Sequence, residues 1–219
     1  MPNDHPPDLS LFVDILQTLA AIEAPYMIIG AFAATVYGIT RVTYDIDMVV
    51  DLEEEHIQAL AKAYPLPRYY ADPVQMRSSI DMGIMFIGMS SIPIIDTERG
   101  EKADLIPLTM ASPYRGAFHR RVRQRVDLPR AEPFEIWCAR PEDVIVGKSI
   151  AWDEGRSRKH ETDVYEMMVY HYLDLNADHS TTVDEAFVDV EARKLGTEVA
   201  DLWQVIKASD REGARRIRR

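Results

Sequence analysis

One cysteine in 219 residues leaves no internal disulfide to form, and a reducing cytoplasm is the expected compartment. No apolar run approaches the ~20 residues of a membrane-spanning helix, so no membrane partner is expected. The opening MPNDHPPDLS has neither the basic nor the apolar stretch of a secretory signal. Six histidines and the cysteine fall in no zinc-binding spacing, so any metal is expected on carboxylates, which suits Mg²⁺ or Mn²⁺. Cations are in the minority, 25 Lys and Arg against 36 Asp and Glu, for a net charge of -11. A chain of that sign does not coat nucleic acid indiscriminately, because the phosphate backbone is repelled overall. Repeats and low-complexity segments are missing too. The one shift in composition is the arginine-rich end, Arg211, Arg215, Arg216, Arg218 and Arg219, expected to be a solvated, partly frayed tail.

What is present centres on residues 26–52, YMIIGAFAATVYGITRVTYDIDMVVDL. An apolar strand over 26–29 closes at Gly30, a brief helix packed by alanines spans 31–37, and a second strand is expected over 43–50. Along that second strand the period of two puts Thr43, Asp45 and Asp47 on one face and Tyr44, Ile46 and Met48 on the other. The two aspartates, about 7 Å apart at ~3.3 Å per residue, can reach one divalent cation or two adjacent ones. Gly30 and Ala31 stand where a strand runs into a helix start. A glycine there lets backbone approach an anion, and the first free N–H groups can bind phosphate.

Helical spacing of Leu9, Phe12, Leu16, Leu19 and Ala20 predicts an amphipathic helix over 9–23, with Asp8 available as its cap. Acidic residues open a second helix over 53–64. A short helix over 73–81, a strand over 84–88 and a hairpin of strands 92–96 and 102–108 follow, with Met76, Met82, Met85 and Met89 read as core fillers. Asp104 lies among Ala103, Leu105 and Ile106, a charge in a half-buried strand that needs a cation or a metal beside it. Asp96, bordering the turn, reads as a turn residue. Alternation of Arg121, Arg123 and Arg125 sets three guanidiniums on one strand face, as a phosphate-binding surface or as a charged edge strand. A last strand over 134–139 holds Cys138 in the core. The segment PEDVIVGKSIAW then starts a helix, with Lys148 in line with Val144, Ile145, Ala151 and Trp152 on the apolar face, so its ammonium must snorkel, pair with a carboxylate or enter a cleft. Further helices are expected over 161–175, 182–194 and 197–208.

The order of an apolar strand, Gly30-Ala31, and Asp45-Ile46-Asp47 resembles the nucleotidyltransferase superfamily typified by DNA polymerase β. Within it, Gly38-x-x-Arg41-x-Thr43-x-Asp45-Ile46-Asp47 resembles the AbiEii-type branch, which includes toxins of toxin-antitoxin pairs. Ala31 stands where that superfamily usually has Ser or Gly, so a hydroxyl toward the triphosphate is missing. Asp104 matches the third acidic residue, and Lys148 and Asp163 match a C-terminal motif in which His160 replaces the first acid; the two are expected either to contact the nucleotide or to form a structural ion pair with each other.

The resemblance implies an α/β (α+β) fold: a nucleotidyltransferase-like mixed β-sheet core with flanking helices over 1–138, followed by a helical C-terminal half over 139–219 that covers the nucleotide cleft. It implies Mg²⁺ or Mn²⁺ on Asp45, Asp47 and Asp104, and an NTP held by Gly30, Ala31, Arg41, Thr43, Lys148 and Asp163. The implied reaction moves an NMP to RNA such as tRNA, to protein or to a small molecule, in the cytoplasm and with a cognate antitoxin as a partner. The competing expectation is a nucleotide-binding or regulatory module of the same fold that has lost transfer. A metal-dependent glycosyltransferase, which also uses Asp-x-Asp, needs a larger nucleotide-sugar domain than the residues before Asp45 supply.

Overall fold

The computed structural model describes residues 9–40, 46–85, 91–127, 132–173, 175 and 182–217, with backbone alone for 83–85 and 210–217. Contacts divide the chain into two units, Met1–Phe32 with Thr43–Cys138, and Ala33–Val42 with Ala139–Arg219.

The first unit is built on a mixed seven-stranded sheet of β1 (Tyr26–Ile29), β2 (Asp47–Val50), β3 (Tyr69–Tyr70), β4 (Ile92–Asp96), β5 (Glu101–Pro107), β6 (Val122–Val126) and β7 (Phe134–Cys138). Their order is β3-β4-β5-β2-β1-β7-β6. β1 pairs antiparallel with β2 and parallel with β7, while β2 pairs parallel with β5, so the central strands are covered on both faces and read as continuous apolar runs. Met27, Ile28, Met48, Val49 and Leu105 are fully buried there. Helix α1 (Ser10–Ala21) buries Phe12, Leu16 and Leu19 of the expected stripe together with Leu11 and Ile15, while Leu9 is part-exposed and Ala20 exposed, and it packs on β5 and on α3 (Glu54–Ala63). The Glu53 side chain accepts from the backbone of His56, whose ring in turn accepts from the Glu53 N–H, and this exchange starts α3.

Two expectations for this unit are corrected. The strand expected over 84–88 does not begin at Ile84, because α4 (Pro73–Met85) runs through Ile84 and Met85; a short apolar run suits either state, and here it extends a helix already started by Pro73 and capped by Asp72 Oδ1 on Val74 N–H at 2.8 Å. Met76 is in the core as expected, yet Met82 is half exposed on that helix. Residues 86–88, Met89 and the expected Asp8 cap lie outside the described residues, and the Met85 side chain is not described.

The second unit is helical, with α6 (Pro141–Gly155), α7 (Arg158–Tyr172), α8 (Glu185–Leu195) and α9 (Thr197–Ile217). α6 packs on α7 and α8, and α9 packs on α7 and α8. Ala33–Val42 joins this unit: Tyr37 donates its hydroxyl to the Ala139 carbonyl at 2.7 Å, and Thr40 donates its N–H and hydroxyl to Glu166 at 3.1 and 3.4 Å. α9 reaches Ile217, beyond the expected end at 208, so Arg211, Arg215 and Arg216 continue a helix instead of fraying from it, while Arg218 and Arg219 lie outside the described residues. The mixed sheet with flanking helices, followed by a helical half, is the fold class expected from the sequence.

Between α8 and α9, Asp189 Oδ1 accepts from the Trp203 indole N–H at 2.7 Å, from Gln204 at 3.1 Å and from the Lys207 ammonium. Burial works to raise the Asp189 pKa, and the Lys207 and Trp203 hydrogen bonds outweigh it, so the carboxyl titrates below its ordinary value. A depressed folded-state pKa contributes stability above the ordinary range, lost as pH falls through the folded value. Asp189→Asn should therefore lose about 1.5–3 kcal/mol at pH 7, with Lys207 deprived of its counter-charge. In urea titrations at stepped pH, the gap to wild type should close below about pH 4.

Candidate active site

Pairing begins at Met48↔Leu105, so one residue earlier in the parallel register Asp47 and Asp104 stand side by side on neighbouring strands. Parallel neighbours lie about 4.8 Å apart, and residues in register share a face of the sheet. Both carboxylates are partly exposed, with 40% of the Asp104 side chain accessible. Asp104 Oδ1 accepts from the Ser91 hydroxyl at 3.0 Å, and Lys102, two residues back on the same face, brings its ammonium to 2.9 Å from Oδ2. The cation demanded by a carboxylate in this strand is thus Lys102, supported by a serine that the sequence alone did not single out.

Asp47 is paired with Ile29 across β1, and the next residue, Gly30, opens α2 (Gly30–Val36). Gly30 takes φ +68, and a Cβ built on it would run into the Asp47 carboxylate oxygen. The glycine is needed twice over, for a left-handed backbone and for the space that Asp47 fills. Ala31 follows it, part-exposed at the start of α2. The glycine-opened helix start and the two carboxylates therefore meet at one end of the β1–β2–β5 strands.

Arg41, Thr43 and Asp45 lie outside the described residues; β2 starts at Asp47, and Ile46 before it is buried. Among the described residues no three His, Cys, Asp or Glu side chains form a metal-binding group. The donor set of Asp47 and Asp104 nevertheless fits a hard divalent cation, being two accessible carboxylates in register with Asp45 two residues ahead in the chain.

Lys148 and Asp163 belong to the second unit and pair with each other. The Lys148 ammonium is 2.6 Å from Asp163 Oδ2, with 7% and 2% of the two side chains exposed. The apolar face of α6 thus accommodates its lysine through a buried ion pair. Asp96 is a turn residue: Oδ1 accepts the Glu98 and Arg99 N–H groups at 3.0 and 3.1 Å, and Oδ2 accepts from Arg68 at 3.1 Å. Burial works to raise its pKa, while the Arg99 N–H and Arg68 bring it below the ordinary value. Arg123 and Arg125 are exposed on β6, which forms one edge of the sheet, and Arg121 immediately precedes that strand.

Gly30→Ala and Gly100→Ala separate the two demands on Gly30, because Gly100 has φ +71 but open space around it. Both should lose about 1 kcal/mol or more to the left-handed backbone. Gly30→Ala should lose more, and combining it with Asp47→Ala should recover the excess in a double-mutant cycle read by chemical denaturation. Lys148→Met should cost about 3–5 kcal/mol by the same measurement, because Asp163 stays buried without its cation.

No family model and no curated protein matches this chain. Among solved structures it is similar to the antibiotic-resistance factor ANT(2'')-Ia, at 16% identity over 96% of this chain and 94% of that one, with a TM-score of 0.44. It is also similar to an antigenic nucleotidyltransferase-like protein from Paracoccidioides brasiliensis, at 17% identity over 90% and 92% of the two chains, with a TM-score of 0.46.

Proposed function

We infer that this chain is a divalent-metal-dependent nucleotidyltransferase that moves an NMP from an NTP to a hydroxyl of an RNA or protein acceptor. The observation that carries the reading is the pair Asp47 and Asp104, in register on parallel strands beside the helix start at Gly30. Asp47 and Asp104, with Asp45, would hold Mg²⁺ or Mn²⁺, which supplies neutralisation of the triphosphate and of charge on the attacking and leaving oxygens.

The chain's own residues do the rest. Backbone N–H groups at Gly30 and Ala31 hold the β and γ phosphates, in line with the approach that a glycine permits. Asp104, kept in place by Ser91 and Lys102, accepts the proton of the acceptor hydroxyl. The hydroxyl oxygen then bonds to the α-phosphorus, the bond to the β-phosphate breaks, and pyrophosphate leaves. Arg41, Thr43, Lys148 and Asp163 enter as nucleotide contacts on the sequence resemblance alone, as do the AbiEii-type branch, a cytoplasmic setting and a cognate antitoxin. Ala31 favours the second reading, a nucleotide-binding module without transfer, because it offers no hydroxyl to the triphosphate.

The test is Mg²⁺-dependent incorporation of label from each of the four α-labelled NTPs into total RNA and cell protein. Wild type should label one acceptor class, and Asp47→Asn should label it at least about 100-fold less. Absence of label together with metal-dependent NTP binding in calorimetry would favour the binding module, and absence of both would end the reading.

A further inference from the structure

A cavity of about 430 Å³ opens in the first unit between the α1–β1 turn and the β6–β7 edge of the sheet. Glu23, Tyr26, Arg121, Arg123, Glu135 and Trp137 supply its polar and aromatic lining. Tyr26 begins β1, and Asp47 is the partner of Ile29 at the other end, so about 10 Å of strand separates this cavity from the carboxylates.

Arg121 is the residue that needs explaining. Its guanidinium lies between two rings, 4.2 Å from the centre of Phe118 and 5.0 Å from that of Trp137, and donates to the Phe118 carbonyl at 2.7 Å. It forms no ion pair among the described residues, and its buried Nε has no hydrogen-bond partner. Burial lowers its pKa, with only the charge of Asp51 opposing. A part-buried cation without an ion-pair partner among the described residues carries a desolvation cost, and an anion in the adjoining cavity would relieve it.

Arg123 lies two residues on, along the same face, directly across from Trp137 and 4.9 Å from its ring. Its partner Glu135, at 3.2 Å, shares with it an exposed ion pair of the kind that contributes little and exchanges readily. Two guanidiniums steadied on one indole of a rigid strand pair are preorganised for an oxyanion. Two carboxylates in the same lining, Glu23 and Glu135, disfavour a polyphosphate and leave room for one phosphate group. The volume matches a ligand of nucleotide size.

We propose that this cavity is a second ligand site, which binds a small phosphomonoester through Arg121 and Arg123. The phosphate sits on the two guanidiniums, and the body of the ligand lies along Pro25 and Tyr26. The site is independent of the carboxylates and of the transfer reaction inferred above.

The test is calorimetry on the full chain carrying Asp47→Asn, in EDTA, with AMP, ribose 5-phosphate, adenosine and inorganic phosphate as separate titrants. At least one monophosphate should bind with a Kd below about 1 mM and about tenfold tighter than either adenosine or inorganic phosphate. The ranking of AMP and ribose 5-phosphate identifies the source of the phosphate. Arg123→Gln, at an exposed position, should weaken binding about tenfold without changing the melting temperature, and Arg121→Gln should abolish it. The Trp137 indole resonance should shift on titration while those of Trp152 and Trp203 stay in place. If Arg121→Gln does not fold, Arg123→Gln and the Trp137 resonance decide. The proposal is overturned by no binding of either monophosphate, by affinity unchanged in Arg123→Gln, or by binding of a single-stranded oligoribonucleotide without a terminal phosphate while both monophosphates are silent.

Discussion

Two like charges held side by side on neighbouring parallel strands are the constraint around which the first unit is arranged. Parallel pairing of β2 with β5 requires the chain to cross over between them, and α3, β3, α4 and β4 make that crossing. Its result is that Asp47 and Asp104 cannot avoid one another without a slip that would turn Met48 and Leu105 out of the core. Each carboxylate is therefore managed locally. Asp104 is engaged by Ser91 and Lys102, while Asp47 lies against backbone stripped of its side chain at Gly30. The burial that fixes the register and the electrostatics that the register creates are two sides of one choice.

The same end of the sheet combines rigidity with accessibility. Met48, Val49, Val50 and Leu105 are sealed in the core, whereas Asp47 and Asp104, at the margin of that apolar run, stay partly open to water. Groups carried on a packed scaffold are held in position without being desolvated beyond use. In the second unit the polar problem is solved in the opposite way: Lys148 and Asp163 are charges closed into helix packing, and the part-exposed Asp189 is satisfied by three donors, two of them on the buried Trp203 and Lys207.

Much of this could be read from residue order, and the failures have physical causes. The bounds of β1 and β4, and Phe12, Leu16 and Leu19 in the core stripe of α1, follow from period and turn signals, which are local. Asp104 was legible as a charge needing a partner, and Lys102, two residues back, supplies one. Ser91 was not, because nothing in its own neighbourhood announces a hydrogen bond made across the sheet. Ile84 and Met85 suit strand as well as helix, since a short apolar run carries no period long enough to decide between them, and the structure makes them helix. The position of Lys148 on an apolar face and Asp163 as its ion-pair partner were both legible, but the closure of that pair into the interior depends on how α6 and α7 pack. The stacking of Arg121 and Arg123 on one tryptophan needed the β6–β7 register.

The segment Ala33–Val42 makes its contacts with residues that follow Cys138, although it is flanked on both sides by the first unit. Gly38, at φ +105, leaves no room for a Cβ beside the Tyr170 ring, and Thr40 is bonded to Glu166. During synthesis these ten residues leave the ribosome long before their partners exist. Strands β1 and β2 can pair while the loop between them waits, so the hairpin that carries Gly30 and Asp47 can close early. The helical unit, by contrast, cannot be completed from its own C-terminal stretch, and a fragment starting at Ala139 would be missing a piece that is made before β2.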